Sequence, residues 1–260
     1  MTTSGTDATS VSDREVPVDV GMLRICLWSA PVGLVFTFVG MLSCGWFPPA
    51  YAGATAAEVG RYYLEHTNAI RIASIMITLG GFLLLPTAAA VSRFVVRIEG
   101  SRGPLSYLQL VSAAFAPVAF VVPAFMWQAA AFDPGRSAEI TKILHDCAWL
   151  GFIGGIWSFA VQNFAVSLAI LRDPRATPLL PRWLGYMGIW TALLYMPSCL
   201  VLFFKSGPFA WHGLLTFWLA AAMFVLWTCT LIVQIDRVLK RGAVRDLRWG
   251  NGASVPGQAG

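Results

Sequence analysis

The stretch GLLTFWLAAAMFVLWTCTLIVQI, residues 213–235, contains no charged residue. At 1.5 Å of rise per residue, an α-helix of this length crosses a hydrocarbon core of about 30 Å. The only charged residue in any of the comparable apolar runs is Arg71, near the start of the second run, where a long side chain can reach the interface. The pattern predicts six transmembrane helices, because five further runs of about 20 residues or more have the same character: 25–46, 70–91, 105–131, 147–171 and 183–204.

The overall composition is that of a chain that folds in lipid. Hydrophobic residues make up 57% and charged residues 12% of the 260 residues, whereas soluble domains carry about 25% charged residues. The runs do not alternate apolar and polar residues as outer-membrane strands do. We therefore predict an all-α, polytopic membrane protein with a six-helix transmembrane domain at residues 21–241. The flanking segments 1–20 and 242–260 are predicted to be disordered cytoplasmic tails.

Lysine and arginine residues predict the orientation of the chain. Of the 18 such residues, 13 fall in the tails or in loops on the same side of the membrane as the tails, and the others are Arg61, Arg71, Arg136, Lys142 and Lys205. Because cytoplasmic loops carry the excess of these residues, both termini are predicted to be cytoplasmic and the protein to be a multi-pass protein of the inner (plasma) membrane. Anionic lipid accounts for the net charge of +5, so we predict no nucleic-acid partner.

Two of the predicted outer loops carry signals of local structure. Thr55 and Glu58 form a capping-box pattern, which predicts a short helix on the membrane surface over the following residues. In Asp133-Pro134, we expect Asp133 to cap a helix that begins at Pro134 and runs to Asp146. The third outer loop, FFKSGPFAWHG at 203–213, is predicted to turn at Gly207-Pro208, with its aromatic residues at headgroup depth.

Prolines and small residues within the spans bear on how the helices pack. Prolines remove internal hydrogen bonds and kink helices, which can open a cavity inside a bundle. Gly151 and Gly155 form a GxxxG pattern that admits a close helix neighbour, in the same chain or in another protomer of a homo- or hetero-oligomer. The prolines within the runs are Pro31, Pro86, Pro117, Pro123 and Pro197.

Aromatic and amide side chains in the spans are the candidate ligand contacts. Trp46, Trp127, Trp149 and Trp211 lie toward the outer boundary, as an interfacial belt does. Amides in hydrocarbon are expected to face the bundle interior and find a partner there. The contacts predicted for an apolar ligand are Trp127, Gln128, Trp149, Gln162, Asn163, Trp211 and His212.

The three histidines, His66, His145 and His212, all fall at the outer ends of predicted spans. Carboxylates lie nearby, a mixture that suits a metal ion, and one haem near the outer surface also fits the placement. However, the histidines come from separate segments, and no HxxxH pattern puts two of them on one helix face. We therefore predict no metal site and no cofactor, and keep an outer-face haem or metal redox protein as the third possibility.

No enzyme is indicated, since the sequence contains no P-loop, no GxSxG and no soluble domain to hold a catalytic site. Our first prediction is a non-enzymatic protein that binds an apolar small molecule or lipid, or assists its transport. The alternative is a structural or assembly subunit of a larger membrane complex that uses Gly151 and Gly155 as a contact. The cysteines are scattered without a CxxC, which leaves pairing of Cys44 with Cys147 open.

Three segments give the chain a resemblance to a known family: AAFDPGRSAEIT (130–141), LLPRWLGYMGIW (179–190) and FFKSGPFAWHG (203–213). In these segments the chain resembles a family of uncharacterised bacterial six-span membrane proteins, over about residues 30–236. In that family Asn is usual at the positions of His145 and His212, which speaks against a metal or haem role for them. The resemblance implies the architecture and no activity.

Overall fold

The computed structural model describes residues 19–100 and 103–241, and these residues form helices without any strand. Asp19 begins the described chain and caps the first helix, since its carboxylate accepts a hydrogen bond of 3.0 Å from the Met22 amide. Apart from Asp19 and Val20, the segments predicted to be disordered, 1–20 and 242–260, lie outside the described residues.

The described residues form nine α-helices, two short helical turns of other types and the loops that connect them. A 3₁₀ turn follows α8 at Met196–Leu202, and a π turn precedes α9 at Leu214–Trp218. The α-helices are α1 (Val20–Ser43), α2 (Ala56–Phe82), α3 (Leu84–Glu99), α4 (Pro104–Phe115), α5 (Val118–Phe132), α6 (Ala138–Gly154), α7 (Trp157–Leu171), α8 (Arg182–Leu194) and α9 (Leu219–Lys240).

These helices join into six spans that are long and apolar enough to cross a membrane. Span 1 is α1, spans 2, 3 and 4 are the pairs α2–α3, α4–α5 and α6–α7, span 5 is α8 with its 3₁₀ turn, and span 6 is the π turn with α9. Large apolar side chains such as Ile25, Phe115 and Trp190 remain exposed on the outside of the bundle. The predicted all-helical architecture with six spans long and apolar enough to cross a membrane is confirmed, and such exposed apolar side chains suit a protein that crosses a membrane several times.

Helix breaks interrupt spans 2 to 5. Span 2 breaks at Leu83, three residues before Pro86, and span 3 breaks at Ala116-Pro117. In both cases the proline lacks an amide hydrogen and clashes with the preceding turn. Span 4 breaks at Gly155-Ile156 without a proline, and span 5 tightens into its 3₁₀ turn before Pro197.

The two ends of the bundle differ. At the end where the described chain starts and stops, the carboxylate of Asp236 is buried and lies 2.8 Å from Arg24 Nε and 2.7 Å from Lys240 Nζ. The Arg24 pair connects span 1 to span 6, whereas Lys240 and Asp236 pair within α9. We call this side the terminal end. The opposite side has loops 44–55, 133–137 and 203–213 and carries all three histidines, and we call it the histidine end.

The structure revises two local predictions at the histidine end. The capping box of Thr55 and Glu58 is confirmed, but its helix does not lie apart on the membrane surface; it continues as α2 to Phe82, with a kink at His66. The predicted cap at Asp133 is wrong. Asp133 ends α5 and accepts a hydrogen bond from the Gly135 amide, whereas Ser137 caps α6.

Arg71 makes hydrogen bonds to α5 that the sequence did not predict. Its Nε donates to the carbonyl of Ala131 and one terminal nitrogen to the carbonyl of Phe132, both at 3.1 Å. These carbonyls end α5, where helical partners are missing and a cation is favoured by the helix dipole. Arg71 therefore joins span 2 to span 3 at the histidine end.

Candidate ligand-binding cavities

A cavity of about 160 Å³ lies among spans 1, 3, 4 and 6, and we call it the lateral cavity. Its wall includes Phe38 on α1, Ala119 on α5, Phe159 on α7 and Ala220 on α9. Phe38 and Val225 stand on its rim, and both side chains are 46% exposed on the outside of the bundle. The cavity therefore opens sideways between α1 and α9, toward the lipid.

The helix breaks and small residues of the chain account for this space. Ala119 and Phe120 directly follow the break at Pro117, and Ile156 lies in the break of span 4. Ala220 and Ala221 contribute short side chains from α9. The sequence indicated that proline kinks can open a cavity in a bundle, and Ala119 and Phe120, shortly after Pro117, line this one.

The wall of the lateral cavity is almost wholly apolar. Thr37 and Thr216 are its only polar lining residues, and the Thr216 hydroxyl donates to the Ala210 carbonyl. The Thr37 hydroxyl has no hydrogen-bond partner among the described residues, but it is buried against Gly80 on α2, since a Cβ placed on Gly80 would come within 2.3 Å of Thr37 Oγ1. A molecule in this cavity therefore meets an almost wholly apolar surface.

A second cavity, of about 40 Å³, lies deeper in the bundle, and we call it the central cavity. Residues of spans 1, 2, 3, 4 and 6 surround it, including Thr87, Gln162, Asn163 and Thr228. The side-chain amide of Gln162 makes no hydrogen bond with any residue in the described part of the chain. The Nδ2 atom of Asn163 is buried and unpartnered, and the Tyr195 hydroxyl approaches this amide without normal hydrogen-bond geometry.

The two cavities share part of their walls. Phe159 on α7 and Phe224 on α9 line both, and their rings contact each other edge to face with centroids 4.8 Å apart. This ring pair is therefore the partition between the apolar lateral cavity and the amide-lined central cavity. Phe159 is buried, whereas Phe224 is only half-buried.

An aromatic cluster fills the interior at the histidine end. The Trp46 ring lies 4.6 Å from that of Trp127 and 5.7 Å from that of Trp149, measured between centroids. His145 contacts Trp46 at 6.0 Å, and Trp211 stacks on Trp149 at 6.3 Å. The indole nitrogens of Trp46, Trp127 and Trp149 are buried and have no hydrogen-bond partner in the described part of the chain, so ring packing holds the cluster together.

These positions correct the predicted interfacial belt. Trp46, Trp127, Trp149 and Trp211 lie inside the protein and do not face lipid headgroups. Trp211 instead donates a hydrogen bond of 2.7 Å to the Ala50 carbonyl, which ties loop 203–213 to loop 44–55. In the same loop the predicted turn is confirmed, since Gly207 adopts a φ of 77°.

The three histidines do not converge. His145 is buried and its Nδ1 lies 3.0 Å from the Tyr63 hydroxyl. His66 stacks on Tyr62, and Nδ1 of His212 accepts a hydrogen bond of 3.3 Å from the Ala52 amide. Partial burial lowers the pKa of His212. Among residues 19–100 and 103–241, no three His, Cys, Asp or Glu side chains group as metal ligands do.

The residues predicted to contact one apolar ligand lie in different places. Trp127, Trp149 and Trp211 belong to the aromatic cluster, and His212 lies beside that cluster against Tyr51. Gln162 and Asn163 line the central cavity. Gln128 lines neither the lateral nor the central cavity. The residues of the lateral cavity were missed, because its wall is built from ordinary Phe and Ala residues that carry no sequence signal of binding.

The structure bears on the predicted oligomer contact through Gly151 and Gly155 and on the state of the cysteines. A Cβ on Gly155 would lie 2.6 Å from the Ala119 Cβ, so this glycine already serves a close approach within the chain. Association of protomers through Gly151 and Gly155 stays a prediction.

All five cysteines are free thiols; Cys44 is buried and Cys147 is exposed.

Comparisons of this chain with family models, characterised proteins and solved structures give no match. The resemblance to a six-span bacterial family therefore stays a prediction, and the functional argument rests on the cavities.

Proposed function

We propose that this protein binds the apolar part of a lipid, or an apolar small molecule of similar size, in the lateral cavity, and that it acts as a non-enzymatic binding or transport accessory. The observation that carries the proposal is a sideways-opening cavity whose wall is almost wholly apolar, with the Thr216 hydroxyl hydrogen-bonded and the Thr37 hydroxyl buried against Gly80. Filling such a cavity with apolar atoms restores dispersion contacts, and it breaks no hydrogen bond that the wall makes.

The size of the lateral cavity limits the occupant. Its volume of about 160 Å³ is close to the roughly 150 Å³ of an engineered apolar cavity that accepts benzene. A ring of that size or a short stretch of acyl chain fits, whereas a whole phospholipid does not. Because the opening faces lipid, the occupant enters from the bilayer and not from water.

The orientation is part of the proposal. The excess of Lys and Arg at the terminal end supports a cytoplasmic location for both termini and an external location for the histidine end, in the plasma membrane. A cysteine at Lys205, in a variant without native cysteines, should then react with a membrane-impermeant maleimide on intact cells, and one at Arg241 only after lysis. The reverse labelling pattern would refute this orientation.

A matched pair of alanines on α9 tests the binding site. Ala221 lines the lateral cavity, whereas its neighbour Ala222 is exposed and does not. Nonane should raise the thermal unfolding temperature of the wild-type protein in detergent, because a ligand that binds only the folded state stabilises it. The Ala221→Leu variant should lose this shift and the Ala222→Leu variant should keep it. An equal response of both variants would rule out binding in the lateral cavity.

Native mass spectrometry in mild detergent then identifies the natural occupant. A defined lipid or apolar molecule should be retained by the wild-type protein and by the Ala222→Leu variant, and reduced in the Ala221→Leu variant. Retention of the same molecule by all three would place it outside the lateral cavity.

A further inference from the structure

The central cavity contains amides that the lateral cavity lacks. Gln162 and Asn163 together carry four N–H groups. Asn163 is 3% exposed, its Nδ2 has no partner, and Gln162 has none among the described residues. An unmet buried donor costs about 1–3 kcal/mol, so a hydrogen-bond acceptor placed here would stabilise the folded protein.

The position of these amides relates them to the proposed binding site. The partition between the two cavities is a single ring pair, Phe159 and Phe224, in contact at 4.8 Å. Phe224 is half-buried and lies on α9, the helix that also forms one rim of the lateral opening. A ligand that displaces this ring contact reaches from the lateral cavity to the amides.

The surroundings also limit the chemistry of the group that reaches the amides. Among residues 19–100 and 103–241, no Asp, Glu, Lys or Arg lines either cavity, so a charged group would have no counter-charge there and its desolvation would be unfavourable. A volume of about 40 Å³ exceeds the roughly 10–15 Å³ that one water needs, and admits a small polar group.

We infer that the lateral and central cavities form one site for a neutral amphipathic molecule, whose hydrocarbon part lies in the lateral cavity and whose carbonyl or ester oxygen accepts hydrogen bonds from Gln162 and Asn163. This inference rests on the proposed function and specifies the class of its ligand. Ordered water in the central cavity, or the Tyr195 hydroxyl that approaches Asn163, is the competing way to satisfy the amides, and the experiment below separates these from ligand binding.

Methyl hexanoate and nonane are a matched pair of probes, since they have the same number of non-hydrogen atoms and only the ester has an acceptor. Their affinities for the protein in detergent are compared at equal mole fraction in the micelles, from the shift in thermal unfolding temperature. The ester should bind about tenfold more tightly than nonane, as expected for one to two net hydrogen bonds.

The variants Gln162→Leu and Asn163→Leu should bring the affinity for the ester down to that for nonane and leave the affinity for nonane unchanged. Gln234→Leu is the control, because Gln234 is a half-buried amide of α9 that lines neither cavity. It should preserve the preference for the ester. Equal affinity of the wild-type protein for both probes, or a preference that survives in both leucine variants, would overturn the inference.

Infrared spectroscopy of carbonyl-labelled methyl hexanoate tests the same contact in the wild-type protein, so the outcome does not depend on folding of a variant. The bound carbonyl band should shift to lower wavenumber than in the micelle, as a hydrogen-bonded ester requires. An unshifted band means that water or protein satisfies the amides and refutes the inference. The proposed function fails separately, if nonane binding does not respond to Ala221→Leu.

Discussion

The hydroxyl of Tyr63 on α2 lies 3.0 Å from Nδ1 of His145 on α6, and both side chains are buried. This contact joins span 2 to span 4 at the histidine end, directly beside the Trp46 ring. It gives His145 a partner within the protein, where the sequence suggested a histidine near water or a metal.

Replacing Tyr63 with Phe should therefore lower the free energy of unfolding. The change keeps the ring and leaves the His145 nitrogen without its partner, which should cost about 1–2 kcal/mol. Denaturant unfolding in mild detergent measures the loss. Tyr186→Phe is the control, since Tyr186 is exposed and makes no such contact in the described residues. If the two variants unfold alike, the Tyr63–His145 contact does not stabilise the bundle.

Arg71 should contribute through its two hydrogen bonds to the end of α5. The Arg71→Met variant keeps the apolar stem and loses both bonds, for a cost of about 1–2 kcal/mol. Arg71→Lys should be intermediate, because an ammonium lacks the planar fork that spans two carbonyls. The same unfolding assay applies, with Arg61→Met at an exposed position of α2 as control. A fully stable Arg71→Met variant would show that Arg71 only reaches the interface, as the sequence first suggested.

Much of the architecture follows from local properties of the sequence, and these predictions are confirmed. Span length and hydropathy depend on single helices, and the Thr55–Glu58 capping box depends on four consecutive residues. The predicted start of α6 was wrong because the segment contains two residues that can cap a helix. Asp133 accepts a hydrogen bond from Gly135 in a turn, and Ser137 caps α6 instead.

The candidate site was predicted only in part, because it depends on packing between spans. Gln162 stood out as an amide in hydrocarbon, and the structure places it on the central cavity. Trp149 stood out as an aromatic near the boundary, but an indole at a helix end can face lipid or the interior, and composition does not distinguish these. The Phe159–Phe224 pair joins residues 65 positions apart in the chain, and no local pattern reveals it.

Cys44 should make stability depend on alkaline pH. Burial raises the pKa of its thiol from 9.0 to about 12. Above about pH 9 the unfolded chain therefore loses this proton while the folded protein retains it, so the free energy of unfolding falls as pH rises.

The slope of this fall should approach about 1.4 kcal/mol per pH unit above the pKa of the unfolded thiol, and it should vanish below about pH 8. Subtracting the pH profile of the Cys44→Ala variant isolates this contribution from other titrating groups. Parallel profiles between about pH 8 and pH 10 would mean that Cys44 ionises equally in both states.

Two adjacent glycines at the break of span 4 should respond in opposite directions to the same substitution. A Cβ on Gly155 would lie 2.6 Å from that of Ala119 on α5, whereas a Cβ on Gly154 would meet nothing within 4 Å. Gly155→Ala should therefore force α5 away and lower the free energy of unfolding by about 1–3 kcal/mol. Gly154→Ala should be neutral or stabilising by up to about 1 kcal/mol, because Ala favours the end of α6.

The same pair separates an internal role of the glycines from a role in assembly. If Gly155 serves only the contact with Ala119, native mass spectrometry should find the same oligomeric state for both variants and the wild-type protein. A shift toward smaller species in Gly155→Ala, without a loss of unfolding free energy, would instead place this glycine at a contact between protomers. The close approach to Ala119 favours the first result, because a residue already packed at van der Waals distance within the chain leaves no room there for a second helix.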